Sequence, residues 1–343
     1  MRSAMPVSKI IFAIGFASLI IGLAHAIRPL LALEQASCPD QSAGEKPEDC
    51  PWAGAARTLI AEAEAGRTVS PALQTLLPRL YAQIKTDGEK PELKDLWGQS
   101  INFDENAKGI IVHPGIIQSL AELFGVPAPQ GESRVVHAGM EHTYGYLFSI
   151  LKTPYGFKRA RWVQGEIEEG FNLPLGTLGP TPAEGSLFMN VTTFIGTIAF
   201  RTEANEFQVI RKATRNAARE IRRMKFSELK PIRLEERVEA ANANGKVRTV
   251  KLFTDFVPFL NQANPKGNTH LLIYTVKDPF HHSAQLISAF PVQTGFVQRA
   301  IQPSNLGKGR PIITRYNAFV EGLSGSTKTG ERKVTSGMEI PQL

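Results

Sequence analysis

Only two of the 343 residues are cysteine, Cys38 and Cys50. Two thiols cannot supply the four-ligand set of a structural zinc site, so cysteine-ligated metal is excluded as an organising principle. No Gly-rich phosphate loop, nucleophile elbow or dinucleotide fingerprint occurs, and no internal repeat is visible. After the first thirty or so residues there is no apolar run of the roughly 20 residues a membrane span needs. Charged residues make up 21% and apolar residues 42% of the chain, which excludes a disordered chain and fits a globular one.

What is present begins at the N-terminus. Arg2 and Lys9 precede an apolar stretch from Ile10 to Leu23, and Ala24-His25-Ala26 has the small-x-small form of a cleavage site. This is the pattern of a secretory signal peptide over 1–26. It implies a periplasmic or secreted protein beginning near Ile27. Continued apolar character through Leu33 leaves retention of the leader as an anchor as the alternative. In an oxidising compartment Cys38 and Cys50 are expected to form a disulfide within the polar, Pro-rich segment 27–53, stapling a surface loop.

Net charge is +7. Removing Arg2 and Lys9 from the 39 basic residues leaves 37 against 32 acidic, a net +5. A mildly basic exported chain suits contact with an anionic envelope polymer or lipid surface, while nucleic acid is disfavoured for such a chain.

Residues 54–127 read as helical. Leu73, Leu76, Leu77, Leu80 and Ile84 recur at helical spacing, with Ser70 placed to cap and Pro78 to end or kink the helix. A further helix is expected over Ile116–Phe124, stopped by Gly125. "APQGES" (128–133) marks the expected boundary of a second region, 128–325. There "FKRARWVQ", "SLFMNVTTFIGTIAFR", "VRTVKLFTDF", "THLLIYTV", "QLISAFPV" and "PIITRYNAFV" all have strand composition. Their direct succession favours an antiparallel sheet. One long helix is expected over 207–225, with Phe207, Ile210, Thr214, Ala217, Ile221 and Met224 as a buried stripe. Arg211, Arg215, Arg219 and Arg222 or Arg223 form a second, basic stripe, either a solvated face or a surface for anionic lipid or polymer. Residues 326–343 read as a flexible tail. The predicted class is therefore α+β: a small helical N-terminal region followed by a mainly antiparallel sheet with one or two packed helices.

The chemistry-bearing stretch is "VVHAGMEHTYGYLF" (135–148). It predicts a strand, a turn at Ala138-Gly139, then a helix. Met140, Tyr144, Leu147, Phe148 and Leu151 would face the core, and His142, Tyr146 and Ser149 the opposite side. His137 would stand at the strand end, with Glu141 and His142 in the first turn. A helix N-terminus favours an ionised Glu141 and a neutral His142, which suits a general base or metal ligand. His137, Glu141, His142 and Tyr146 are thus the candidate catalytic residues. His137 and His142 are candidate ligands for a divalent metal, although on one continuous helix they would point about 140° apart. Aromatic and basic residues that follow, Tyr155, Lys158, Arg159, Arg161 and Trp162, could wall a polar or anionic ligand. Glu166, Glu168 and Glu169 lie on a Gly/Pro-rich stretch (165–185) expected to be a long loop. A second histidine pair, His281 and His282, follows Lys277 and Asp278 in a hairpin loop.

Two readings follow. One is an exported enzyme, a hydrolase first, centred on His137, Glu141, His142 and Tyr146. The other is a non-catalytic envelope or interaction protein using the basic helix and the aromatic-basic stretch.

Overall fold

The computed structural model describes residues 46, 49–94, 96–98, 102–104, 107–126, 135–136, 139–154, 156–179, 186–198, 213–224, 229–241, 247–261, 267–277, 284–301, 319–320 and 328–336. Residues 1–26, Cys38, His137, Tyr155, Phe207, Ile210, Arg211, Asp278, His281 and His282 lie outside these residues.

The first helix, α1 (Trp52–Glu64), buries Trp52, Ala55, Ala56 and Leu59 at three- and four-residue spacing and is followed by Gly66 at φ 69°. Thr68, rather than Ser70, precedes α2 (Val69–Leu76). Pro78 does end that helix: Leu77 leaves helical geometry, and α3 (Pro78–Gly88) restarts with proline at its first position. A single turn, α4 (Pro91–Lys94), and a short hairpin, β1 (Phe103–Asp104) with β2 (Gly109–Ile110), lead into α5 (Pro114–Phe124). That helix is capped by His113 Nδ1, which accepts from Gly115 N at 3.2 Å, and stopped by left-handed Gly125.

Two segments expected to be strands are helices. In "FKRARWVQ", only Phe157 belongs to a strand, in the two-residue pair β4 (Lys152–Thr153) and β5 (Gly156–Phe157). These follow β3 (Val135–Val136), α6 (Gly139–Gly145) and a 3₁₀ turn (Tyr146–Phe148). Arg161 and Trp162 lie on α7 (Ala160–Val163), and α8 (Glu166–Gly170) follows directly. The larger correction is "SLFMNVTTFIGTIAFR", whose centre is α9 (Leu187–Ile198). Its β-branched composition suggested a strand. Ser186 caps it, accepting from Met189 N at 3.3 Å, and apolar side chains are buried nearly all round it. Complete burial outweighs a propensity difference of a few tenths of a kcal/mol per residue.

The helix expected over 207–225 is, within the described residues, the nine-residue α10 (Arg215–Arg223). Thr214 is not inside its stripe but caps it, accepting from Ala217 N at 3.1 Å. Asn190 on α9 accepts from Thr214 N at 2.9 Å and fixes where this helix starts.

The antiparallel sheet is present, with order β11-β6-β7-β8-β9. It comprises β6 (Ile232–Ala241), β7 (Val247–Pro258), β8 (His270–Lys277), β9 (Gln285–Val292) and, after α11 (Thr294–Ile301) and β10 (Phe319–Val320), the edge strand β11 (Lys328–Ser336). The tail is therefore not loose over 328–336: it pairs with β6, placing Arg332 opposite Glu236 and Lys333 opposite Glu235. A charged, Gly-containing sequence reads as a tail by composition, yet charge is also what suits an edge strand.

Both faces of the central strands are covered. Leu271, Ile273, Phe253 and Val257 belong to the core shared with the helices, whereas Leu272, Tyr274, Val276 and Phe256 pack with Val297 of α11 on the other side. The helix-side core is continuous from Trp52 to Ala289, so side chains from both sides of the 128–133 segment share it. On the same side Arg233 and its cross-strand neighbour Asp255 form a buried bidentate pair at 2.6 and 2.8 Å.

The segment before α1 is anchored more deeply than a surface staple. Asp49 is fully buried and ion-paired with buried Arg159 at 2.7 Å, and it also accepts from Gln164 Nε2 and Lys46 N. Trp52 packs edge-on against Phe148. Among the described residues no cysteine is free.

Candidate functional site

Within the 135–148 stretch, Val135–Val136 is a strand and Gly139–Phe148 is helical, as the sequence suggests for those residues. β3 pairs with β10, and α6 begins at Gly139, which adopts φ 41°, a conformation glycine tolerates best. Met140 N donates to Leu96 O at 3.1 Å and pins the helix start to the end of the N-terminal helical region.

The two-faced character expected of this helix is absent. Every residue from Gly139 to Ser149 is buried, His142 and Tyr146 as fully as Met140 and Leu147. The cause is tertiary: α6 lies among α5, α9 and β9, so its polar side meets the sheet instead of water. Truncating His142 would therefore open a cavity.

The His142 ring stacks on Tyr146, one helical turn on, with centroids 4.3 Å apart. Arg161 from α7 lies 5.3 Å from the Tyr146 ring centroid and 4.6 Å from that of Phe290. Its Nη1 reaches Ser288 Oγ and Ala289 O only at 3.3 and 3.4 Å. His142, Tyr146, Arg161, Trp162, Ser288 and Ala289 line a cavity of about 10 Å³, with Val191, Ile195 and Leu286 on its apolar side. Neither ring nitrogen of His142 has a hydrogen-bond partner, nor does Trp162 Nε1. A register shift in the β8–β9 ladder puts an extra residue, Ile287, beside the ring; its backbone favours protonated imidazole without forming an aligned hydrogen bond.

Electrostatics keep the imidazole neutral. Burial pushes the His142 pKa well below its ordinary value, and the positive charges of Arg161 and Lys158 push the same way. Burial also lowers Lys158, to about 8, with repulsion from Arg161 adding to it and Asp104, ion-paired at 2.8 Å, opposing it. Arg161 falls to about 10 through burial, opposed by Tyr146, Glu166 and Asp104, and stays charged at neutral pH.

The residues singled out from sequence thus divide. His142, Tyr146, Arg161 and Trp162 meet at one cavity. Glu141 is buried but does not line it. Lys158 stands nearby, held by Asp104, whereas Arg159 belongs to the Asp49 ion pair. The 165–185 stretch is not simply a long loop: Glu166–Gly170 is helical, and Glu168 Oε1 accepts from Leu178 N at 2.6 Å and Gly179 N at 3.2 Å. Burial raises Glu168 to about 6 against the pull of those N–H groups. It braces the segment, while Glu169 is exposed. Among the described residues no three His, Cys, Asp or Glu side chains group as metal ligands. A metal on His142 would need ligands from elsewhere in the chain.

One buried polar cluster carried no signal in the sequence. Asp87 on α3 accepts from Tyr144 Oη at 2.5 Å, from Ser186 Oγ, from Gln83 Nε2 at 2.9 Å and from Lys90 Nζ at 3.1 Å. Ser186 lies 99 residues from Asp87 in sequence, so no local pattern could reveal it.

No protein-family model matches this chain, and no curated protein and no solved structure matches it. The fold defines an α+β protein in which an antiparallel sheet packs between a helical body and a single helix. None of its described helices is long and apolar enough to cross a membrane.

Proposed function

We propose that the chain is an exported, non-catalytic protein of the cell envelope that binds an anionic polymer through α10. The observation that carries this reading is the disposition of four arginines on that helix. Arg215, Arg219, Arg222 and Arg223 are all exposed, while Ala217 and Ile221 anchor the opposite side in the core. Glu220 pairs with Arg219 and Arg223. Arg215 and Arg222 have no carboxylate partner among the described residues. Because the apolar side of α10 is used by the core, nothing remains on it to insert into a bilayer, which favours a soluble polyanion over a lipid surface. Export and the Cys38–Cys50 disulfide complete the proposal and rest on the leader pattern and compartment chemistry.

The test is binding of the purified full chain to polyphosphate, to anionic vesicles and to neutral vesicles across a salt series. Polyphosphate binding should weaken with salt. Arg215→Gln/Arg222→Gln should weaken it several-fold while stability stays within about 0.5 kcal/mol. Binding that the double variant leaves unchanged, or binding to vesicles alone, refutes it.

The hydrolase reading retains one supporting observation, the unpartnered imidazole of His142. With His137, Glu141 and Tyr146 it would form a general-base centre, and a divalent metal would be its cofactor. Ester turnover lost in a folded His142→Gln variant would revive it.

A further inference from the structure

Three polar side chains of unmatched hydrogen-bonding capacity meet at the cavity between α6, α7, α9 and β9. Trp162 Nε1–H is a donor with nothing to accept from it, and neither His142 ring nitrogen has an aligned partner, the Ile287 backbone standing nearest. Arg161 is buried, yet its hydrogen bonds to Ser288 Oγ and Ala289 O are long, and among the described residues no carboxylate lies in salt-bridge range of it. Lys158 adds a second cation close by, and it is ion-paired with Asp104. Glu166 and Asp104 act on Arg161 only from beyond ion-pair distance; a buried cation without a direct ion pair is costly, and a buried N–H without an acceptor adds to that cost.

Water answers this arrangement only in part. One molecule could accept from Trp162 and donate to one imidazole nitrogen, but it brings no charge. The two aromatic faces flanking Arg161 offer quadrupoles rather than an anion. The volume limits the alternatives: about 10 Å³ holds one sphere of roughly water size, which excludes phosphate, sulfate and carboxylates.

We infer that this cavity is a binding site for a single monatomic anion, a halide such as chloride, held by Arg161, Trp162 Nε1–H and His142. The anion takes its N–H bonds from the guanidinium, the indole and the protonated nitrogen of the neutral imidazole. Val191, Ile195 and Leu286 close the remaining side and keep the local dielectric low, which strengthens each charge-assisted bond. The site is separate from α10 and does not depend on polyanion binding there.

Thermal unfolding of the full chain in sodium chloride and in sodium gluconate at equal ionic strength tests the inference, because gluconate is too large to enter. Chloride should raise the melting temperature saturably, as a ligand specific to the folded state does. Trp162→Phe keeps an aromatic ring but removes the five-membered ring with its N–H; the apparent chloride affinity should fall at least tenfold. Crystals of the unmodified chain grown in bromide should show an anomalous peak between Arg161 and Trp162, a result that needs no variant to fold. Equal melting temperatures in the two salts, a chloride effect that Trp162→Phe leaves intact, or a water in place of bromide would each overturn the assignment.

Discussion

Tyr144 and His142 stand two residues apart on α6, and the helix delivers them to opposite kinds of polar environment. Tyr144 meets Asp87 and Ser186, and around Asp87 each acceptor has a donor, with Gln83 and Lys90 completing the set. His142 meets Arg161 and Trp162, where donors outnumber acceptors and ring nitrogens go unpaired. Burial is the same, near zero exposure in both. What separates them is closure: a complete buried network is a structural element, whereas an incomplete one is a place where something is missing.

The largest effect should come from opening a closed network. Arg159→Met removes the ion-pair partner of fully buried Asp49 and leaves its carboxylate, among the described residues, to Gln164 Nε2 and Lys46 N. It should destabilise by about 3–5 kcal/mol in chemical denaturation. A loss under about 1 kcal/mol would mean that the segment before α1 is not part of the cooperative core.

Substitutions at the two α6 positions should then differ in size. Tyr144→Phe takes one donor from the Asp87 network and should cost about 1–3 kcal/mol. In halide-free buffer, His142→Phe removes polar atoms without an aligned partner and keeps a planar ring stacked on Tyr146, so stability should stay within about 1 kcal/mol. Equal losses at both positions would erase the distinction.

The smallest effect is the pH dependence. His142 is depressed in the folded state, so between its folded value and the ordinary 6.5 the unfolded chain binds more protons. Its contribution is present above pH 6.5 and is lost as pH falls below it. Glu168, raised from 4.5 to about 6, acts with the opposite sign: its contribution is present below pH 4.5 and is lost as pH rises to 6. Melting temperatures of the unmodified chain and His142→Phe should therefore diverge below pH 6.5, the variant losing less. Parallel curves would contradict a neutral, buried imidazole.

How much of this was legible beforehand follows from the range of each signal. Local signals were sound: Pro78 divides two helices, Gly125 stops α5, and the strand compositions of β7, β8 and β9 were realised. The turn at Gly139 was readable because glycine there answers a backbone demand. Composition misled where burial on all sides made a β-branched segment helical at α9, and where a polar tail found an open sheet edge at β11.

By itself the sequence determined the α+β class, the helix limits set by proline and glycine, and a unit at 135–148 rich in ionisable groups. Those depend on neighbours within a turn or two, where sterics and hydrogen bonding are local. Only the tertiary structure decided that the polar face of α6 is covered by β9 and α9, that Arg161 and Trp162 rather than Glu141 share the cavity with His142, and that Arg159 serves Asp49. Each of those outcomes depends on which segments, often more than a hundred residues apart, exclude water from a given side chain, and a one-dimensional pattern carries no record of that.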